Sequence, residues 1–328
     1  MYKRFFGFTH NPFDLTPDPA FFVSTKRHNE ALAALSYGVR WHRGFVVVTG
    51  EVGTGKTLLL RCLLRLLKES RDISYAYLFN SRLSATEFLQ YILSDFGLPA
   101  TGKNKAELLL DFSQFLLSRG SKRLTTVLIV DEAHHLSEEL LEEIRLLSNL
   151  ETTDDKLLQI ILVGQPELDD KLNSPQLRQL KQRIALRARL GPLAYEETRE
   201  YITERLRIAG AGVQRDPIFS DEAIVTVHRH SKGLPRLINT ICENALIAAY
   251  AQQSITVTPR IIDDVAKEFL LDVVPSVDRG MGERGEAELR RAASVLLDFF
   301  SYVSDSGARK SDRNAAVVAE SSRHEPYI

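Results

Sequence analysis

The sequence predicts an α/β protein: a parallel sheet with helices on both faces, followed by a small all-α lid domain. Three observations carry that expectation. Short, wholly apolar runs such as "FVVV" (45–48) and "VLIV" (127–130) read as strands buried on both faces. These runs alternate with longer stretches of helical periodicity, as a parallel sheet with crossover helices requires. After Gly191 and Pro192 the strand signals stop, and helical segments punctuated by Gly, Pro and Ser take over.

The elements follow in order. Residues 9–20, "THNPFDLTPDPA", carry three prolines and read as an extended arm with turns. "STKRHNEALAALSYGVRW" follows as a helix capped by Ser24 or Thr25. The strand at 45–48 runs into "TGEVGTGKT" and then a leucine-rich helix. "ISYAYLF" (73–79) is β-branched and aromatic, a second strand. "SATEFLQYILSDFGL" and "KAELLLDFSQFLLSRG" read as helices, the latter closed by Gly120. The strand "TTVLIV" ends in Asp131 and Glu132; a helix, "SEELLEEIRLLSNL", and the strand "LLQIILVGQ" complete the sheet region. Four helices are expected between 192 and 271. Beyond about 272 the chain is polar and expected to be disordered, with an amphipathic helix at 286–303. The domain reading is thus 1–44 arm and helix, 45–191 nucleotide-binding domain, 192–271 lid and 272–328 tail.

The turn after the first strand carries the chemistry. Gly50, Gly55, Lys56 and Thr57 fit G-x-x-x-x-G-K-[ST], the P-loop pattern, placed between a strand and a helix as it must be. Inward-facing backbone N–H groups and a helix N-terminus make such a loop a phosphate cradle. ATP with Mg²⁺ is the expected cofactor. Its contacts are expected from Gly50, Glu51, Val52, Gly53, Thr54, Gly55, Lys56, Thr57 and Leu58, with Lys56 on the β- and γ-phosphates and Thr57 on the metal. Asp131, ending its strand, is the second expected metal ligand, and Glu132 the group that orients or deprotonates the attacking water. Both acids together favour hydrolysis over transfer to a small-molecule acceptor.

Composition adds limits. With 328 residues, 44% hydrophobic, 26% charged and a net charge of −1, the chain has ample core and no global pull toward nucleic acid or anionic membrane. Cys62 and Cys242 lie far apart in apolar helical contexts and read as buried free thiols of a reducing compartment. No signal peptide and no membrane span are legible, so a cytoplasmic location is expected, peripheral at the inner membrane at most. "DEAHHL" spells a helicase acid box, but the only "SAT" precedes it and no "QRxGR" motif follows. His134 and His135, pointing different ways from a turn, do not make a metal pair.

Arm, P-loop, acid box and helical region together resemble the AAA+ ATPases, and most closely the general secretion pathway protein A (ExeA) family. The resemblance covers roughly residues 1–270 and rests on "FFGFTHNPFDLTPDPAFF", "HNEALAALSYGV", "GFVVVTGEVGTGKT", "LIVDEAHHL", "ILVGQPEL", "LRQLKQRI" and "GLPRLIN". It implies a polar sensor at Gln165, an arginine finger at Arg183 that enters a neighbouring subunit's site, and a sensor arginine at Arg236 in the lid. Arg178 and Arg187 compete with Arg183 for the finger role. The arm around Pro12 and Phe13 is implied to approach the adenine. The family's full-length secretion protein continues into a transmembrane segment and a peptidoglycan-binding domain. Neither is legible here, so the layout of soluble members linked to exopolysaccharide export or pilus systems is expected. Expected partners are further copies of the chain in an oligomer and a protein of an envelope complex. The alternative is a DNA-associated regulator of the transposition-helper type, supported by the basic cluster Lys171, Arg178, Lys181, Arg183, Arg187 and Arg189.

Overall fold

The computed structural model describes residues 2–79, 83–152, 155–211 and 217–269. The expected tail helix at 286–303 lies outside them.

Five parallel strands form one sheet: β1 (Phe45–Gly50), β2 (Ile73–Leu78), β3 (Thr125–Val130), β4 (Gln159–Gly164) and β5 (Ile184–Leu190), in the order β2-β3-β4-β1-β5. β1 and β4 are buried along their whole length, as their unbroken apolar runs require. In register, Val47 lies beside Leu162 of β4 and Arg187 of β5. The P-loop strand, the Gln165 strand and the acid strand are therefore consecutive neighbours, which brings their carboxyl-terminal loops to one rim.

β5 was not expected from the sequence. Its edge position explains why: "IALRARL" alternates Leu186, Ala188 and Leu190 with Arg187 and Arg189, so it lacks the unbroken apolar run that marks β1 and β4. Of the charges that read as a basic cluster, only Arg187 and Arg189 belong to this edge strand; the other four lie in the helical turns before it.

Helices cover both faces. α1 (Tyr2–Phe6) opens the chain, and α2 (Lys26–Arg40) packs on β1 and β5. Thr25, one of the two expected caps, is the one that accepts from the His28 N–H. α3 (Lys56–Lys68) leaves the P-loop and crosses β1 and β2. α4 (Ala85–Asp95) and α5 (Lys105–Ser121) begin with capping boxes, Ser84 with Glu87 and Asn104 with Glu107. α5 runs through Gly120 rather than ending at it. A Cβ at Gly120 would lie 2.3 Å from Leu157 Cδ2, so this glycine permits close packing and is no cap. α6 (Glu138–Leu147), α7 (Glu167–Leu172) and α8 (Arg178–Arg183) complete this layer, and Phe88, Phe112, Leu141 and Leu180 join its core.

α9 (Tyr195–Ile208), α10 (Asp221–Ser231), α11 (Pro235–Ala251) and α12 (Pro259–Glu268) share a second core. The chain's first residues enter it: Phe6, Phe8, Phe13 and Phe21 are buried among Tyr201, Ile238 and Leu246. The arm is therefore not a free extension. Thr9 and His10 both donate backbone N–H groups to the Ala209 carbonyl, and Tyr2 reaches Glu243 at 2.8 Å.

Candidate nucleotide-binding site

Between the sheet's rim and α11 lies a cleft of about 330 Å³. It is lined by the P-loop and the start of α3 (Val52, Gly53 and Gly55 to Leu58), by Glu132 and Gln165 from the sheet's rim, by Arg236 and Asn239 from the lid, and by arm residues Asp14 to Asp18.

The loop's shape follows from its glycines. Gly53 and Gly55 take φ +82° and +97°, a region where L side chains are strained. Both are also crowded: a Cβ at Gly53 would sit 2.8 Å from Arg236 Cβ, and one at Gly55 2.9 Å from His28 Nε2. The loop is thus clamped from two sides. Arg236 donates its backbone N–H to the Gly53 carbonyl at 3.1 Å, and the His28 ring binds the Thr54 carbonyl at 2.9 Å. Because that carbonyl only accepts, His28 carries its proton on Nε2 and takes the Thr25 hydroxyl on Nδ1, 2.7 Å away. Burial pulls His28 below the usual imidazole range, which favours this neutral form.

Lys56 is buried, and its ammonium donates to the Gly50 and Glu51 carbonyls at 2.7 and 3.0 Å. Desolvation pulls its pKa down, opposed by the nearby charges of Glu132 and Asp131. Gly50, Glu51 and Thr54 do not line the cleft; Thr54 is buried and its hydroxyl binds the Glu51 carbonyl, bracing the loop from behind.

Asp131 sits behind the cleft wall, where its carboxylate accepts from the Tyr77 hydroxyl and the Glu132 N–H, both at 2.9 Å. Burial pushes its pKa up, so its charge is under-compensated. The Thr57 hydroxyl has no hydrogen-bond partner among the described residues. An under-compensated carboxylate and a free hydroxyl are hard oxygen donors of the kind Mg²⁺ takes alongside phosphate oxygens. A fuller cage is absent: no cluster of three or more His, Cys, Asp or Glu suited to a metal occurs among the described residues.

Glu132 has φ +52°, a strained backbone for a non-glycine residue beside a candidate site. Its Oε2 is buried and lacks a hydrogen-bond donor, although His134 Nδ1 lies 3.3 Å away. The contact is idle because that nitrogen accepts the Gln165 N–H at 3.4 Å and so presents a lone pair to the carboxylate. Desolvation and the neighbouring His135 keep His134 below its usual pKa, in the neutral state. The two imidazoles do not point apart as expected; their centroids lie 3.9 Å from each other.

Of the arginines, Arg236 lines the cleft and is exposed, with no side-chain partner among the described residues. Arg183 lies outside the cleft and spends one N–H on Ser148 at 2.7 Å, leaving its other donors unengaged among the described residues. Arg187 and Arg189 are both held by Asp169. Lys171 is turned onto the His134 and Leu136 carbonyls. Four members of the basic cluster are therefore engaged within the chain, and Arg178 and Lys181 are its members without partners among the described residues. Phe13 corrects another expectation. It is wholly buried against Phe219 in the helical core, held there because the arm belongs to that core, and it does not line the cleft.

Sequence reasoning missed His28, Tyr77, Tyr201, Arg205 and Asn239. The Tyr201 and Arg205 pair was detectable as an i, i+4 contact on a helix; Tyr77 left no signal.

With the geometry in place, the comparisons are concordant. A family model described as an AAA domain matches residues 39–172, which contain the P-loop, the acid box and Gln165. Residues 39–172 are therefore an AAA domain. It is 47% identical over 255 residues, 77% of its length, to general secretion pathway protein A of Aeromonas hydrophila. It spans 46% of that protein. In fold it resembles the ORC2 protein of Aeropyrum pernix (17% identity, TM-score 0.59, 80% of this chain and 72% of that one). It also resembles Cdc6p of Pyrobaculum aerophilum (20% identity, TM-score 0.58, 78% and 70%). These two likenesses concern the fold alone. No helix among the described residues is long and apolar enough to cross a membrane.

Proposed function

We propose that the chain binds and hydrolyses ATP with Mg²⁺, and that the nucleotide state sets how α11 sits against the P-loop. One observation carries this reading: Lys56, Glu132, Gln165 and Arg236 line a single cleft bounded by the sheet on one side and the lid on the other. Thr57 and Asp131 would hold the metal, which supplies charge neutralisation at the phosphates. Lys56 exchanges its loop carbonyls for phosphate oxygens. Glu132, strained and with a buried oxygen lacking a donor, is suited to take a hydrogen bond from the attacking water and then its proton. Gln165 and Arg236, from rim and lid, respond to the terminal phosphate.

Arg183 remains the proposed arginine finger of a homo-oligomer, with Arg178 as its competitor; Arg187 loses that role because Asp169 holds it. Similarity to a secretion pathway protein supports service to an envelope-associated secretion, exopolysaccharide-export or pilus complex. The transposition-type alternative keeps less of the basic cluster that motivated it, because Lys171, Arg187 and Arg189 are engaged within the chain. The test is the mass of Glu132→Gln protein in solution with Mg-ATP, with and without duplex DNA. An ATP-dependent oligomer indifferent to DNA supports the proposal, whereas oligomers forming only on DNA overturn its envelope part.

A further inference from the structure

A chain of hydrogen bonds runs from the arm into the cleft, and its direction is fixed by chemistry. Arg205, buried on α9, donates Nε to the Pro12 carbonyl at 2.6 Å and Nη2 to the Asp14 carbonyl at 3.4 Å. Its Nη1 donates to the Tyr201 hydroxyl at 2.9 Å. Arginine has no acceptor, so the tyrosine must accept here and pass its own proton on. It does so to Asn239 Oδ1, again at 2.9 Å. That leaves only one orientation of the Asn239 amide: oxygen toward Tyr201, NH₂ as the end of the relay. Asn239 is 8% exposed, lines the cleft one helical turn beyond Arg236, and its NH₂ has no partner among the described residues. Arg205 is itself immobilised, its guanidinium lying over the rings of Phe21 and Tyr201 at 5.1 and 5.4 Å.

We infer that Asn239 is a nucleoside-binding residue, donating a hydrogen bond from its side-chain NH₂ to an acceptor on the base or sugar of the nucleotide. The inference rests on the nucleotide reading above and deepens it. Position selects the nucleoside over the phosphates. Lys56 and Thr57 belong to the P-loop, whereas Asn239 is tied through Tyr201 and Arg205 to the arm carbonyls of Pro12 and Asp14, and the next arm residues Leu15 and Pro17 bring apolar surface suited to a base into the same cleft. Pre-orientation by a buried relay is what separates this donor from an ordinary polar side chain, since no rotamer or flip entropy remains to be lost on binding.

A cycle between ligand and protein tests it on the full chain, using ADP so that turnover does not interfere. Affinities are measured by calorimetry for ADP, its 1-, 3- and 7-deaza analogues, and its 2′- and 3′-deoxy analogues. The proteins are the natural chain, Asn239→Ala and the near-isosteric Asn239→Asp, which keeps an acceptor for Tyr201 but loses the donor. One analogue should bind the natural protein roughly 3- to 10-fold more weakly than ADP, the range of a single hydrogen bond, and show less than about a 2-fold penalty in both variants. A deaza analogue in that role assigns a ring nitrogen, a deoxy analogue a ribose oxygen. Tyr201→Phe, which frees the amide to rotate, should shrink the same penalty. Equal analogue penalties in all proteins overturn the inference, even if the variants bind ADP weakly for structural reasons. A natural protein with no ADP affinity, or with the affinity of Lys56→Ala, would sink the nucleotide reading itself.

Discussion

Replacing Gly53 by alanine isolates the coupling between P-loop and lid. The substitution carries two costs. The first is conformational: at φ +82° a Cβ is strained by about 1–2 kcal/mol. Gly102 supplies the control, because its φ is +78° and nothing lies within 4 Å of a Cβ placed there. The second cost exists only at Gly53, where the new methyl would stand 2.8 Å from Arg236 Cβ. Carbon atoms prefer about 3.5–4.0 Å, so the start of α11 must withdraw by most of an ångström. That displacement strains the Arg236 N–H to Gly53 carbonyl bond of 3.1 Å, worth about 0.5–1.5 kcal/mol. Gly102→Ala should therefore lower thermal stability while leaving ADP affinity and ATP turnover intact. Gly53→Ala should lose more stability than the control, bind ADP about 3- to 10-fold more weakly, and lose turnover more steeply because Arg236 moves with the helix. Calorimetry, thermal melts and phosphate release read the three quantities. If Gly53→Ala matched Gly102→Ala in all three, the lid would not be coupled to the loop through this contact.

Other expectations follow from the same geometry. Lys56→Ala should weaken ATP binding by roughly 10- to 150-fold, the value of one charged hydrogen bond, and Glu132→Gln should bind ATP normally and fail to release phosphate. In mixed oligomers, inactive Arg183→Ala and inactive Glu132→Gln subunits should restore turnover together, each supplying what the other lacks; recovery with Arg178→Ala instead would move the finger to that residue. Asp131 has a pKa raised by burial, so its protonated form is favoured by folding and its charge costs stability once pH rises through the folded value. Asp131→Asn should consequently melt at a higher temperature at neutral pH while losing hydrolysis. His28 has a lowered pKa, so its contribution is complete above about pH 6.5 and lost as pH falls through the lower folded value. Melts from pH 7 to 5 should fall more steeply for the natural chain than for His28→Asn.

The parts of the fold legible in the sequence were those whose signals are local. β1, β3 and β4 announce themselves as unbroken apolar runs, and the P-loop as a strict spacing between strand and helix. The α4 and α5 starts follow from their caps. β5 escaped because an edge strand needs only one apolar face, and its arginines competed for attention as a charged cluster. Gly120 misled because a glycine kept for close packing looks, in sequence, like one kept for a turn. Phe13 misled for a related reason: an aromatic residue in a proline-rich arm gives no sign of which surface it covers. Arg205 and Asn239 are functional candidates only through contacts spanning 191 to 193 and 38 positions, beyond the reach of any local pattern.

The aromatic arm gives the molecule an order of assembly. The chain starts in the helical core, leaves it to build the entire sheet, and returns only after Leu193. During synthesis Phe6, Phe8, Phe13 and Phe21 emerge ahead of the sheet and wait through some 170 residues, roughly 9–35 s at ribosomal speed, before their packing partners exist. A nascent chain therefore carries an exposed greasy hook while its P-loop is already complete, which makes early engagement by a chaperone an advantage. A fragment trimmed to begin at Lys26 would retain every residue of the P-loop and acid box yet leave the helical core without four of its buried aromatic rings.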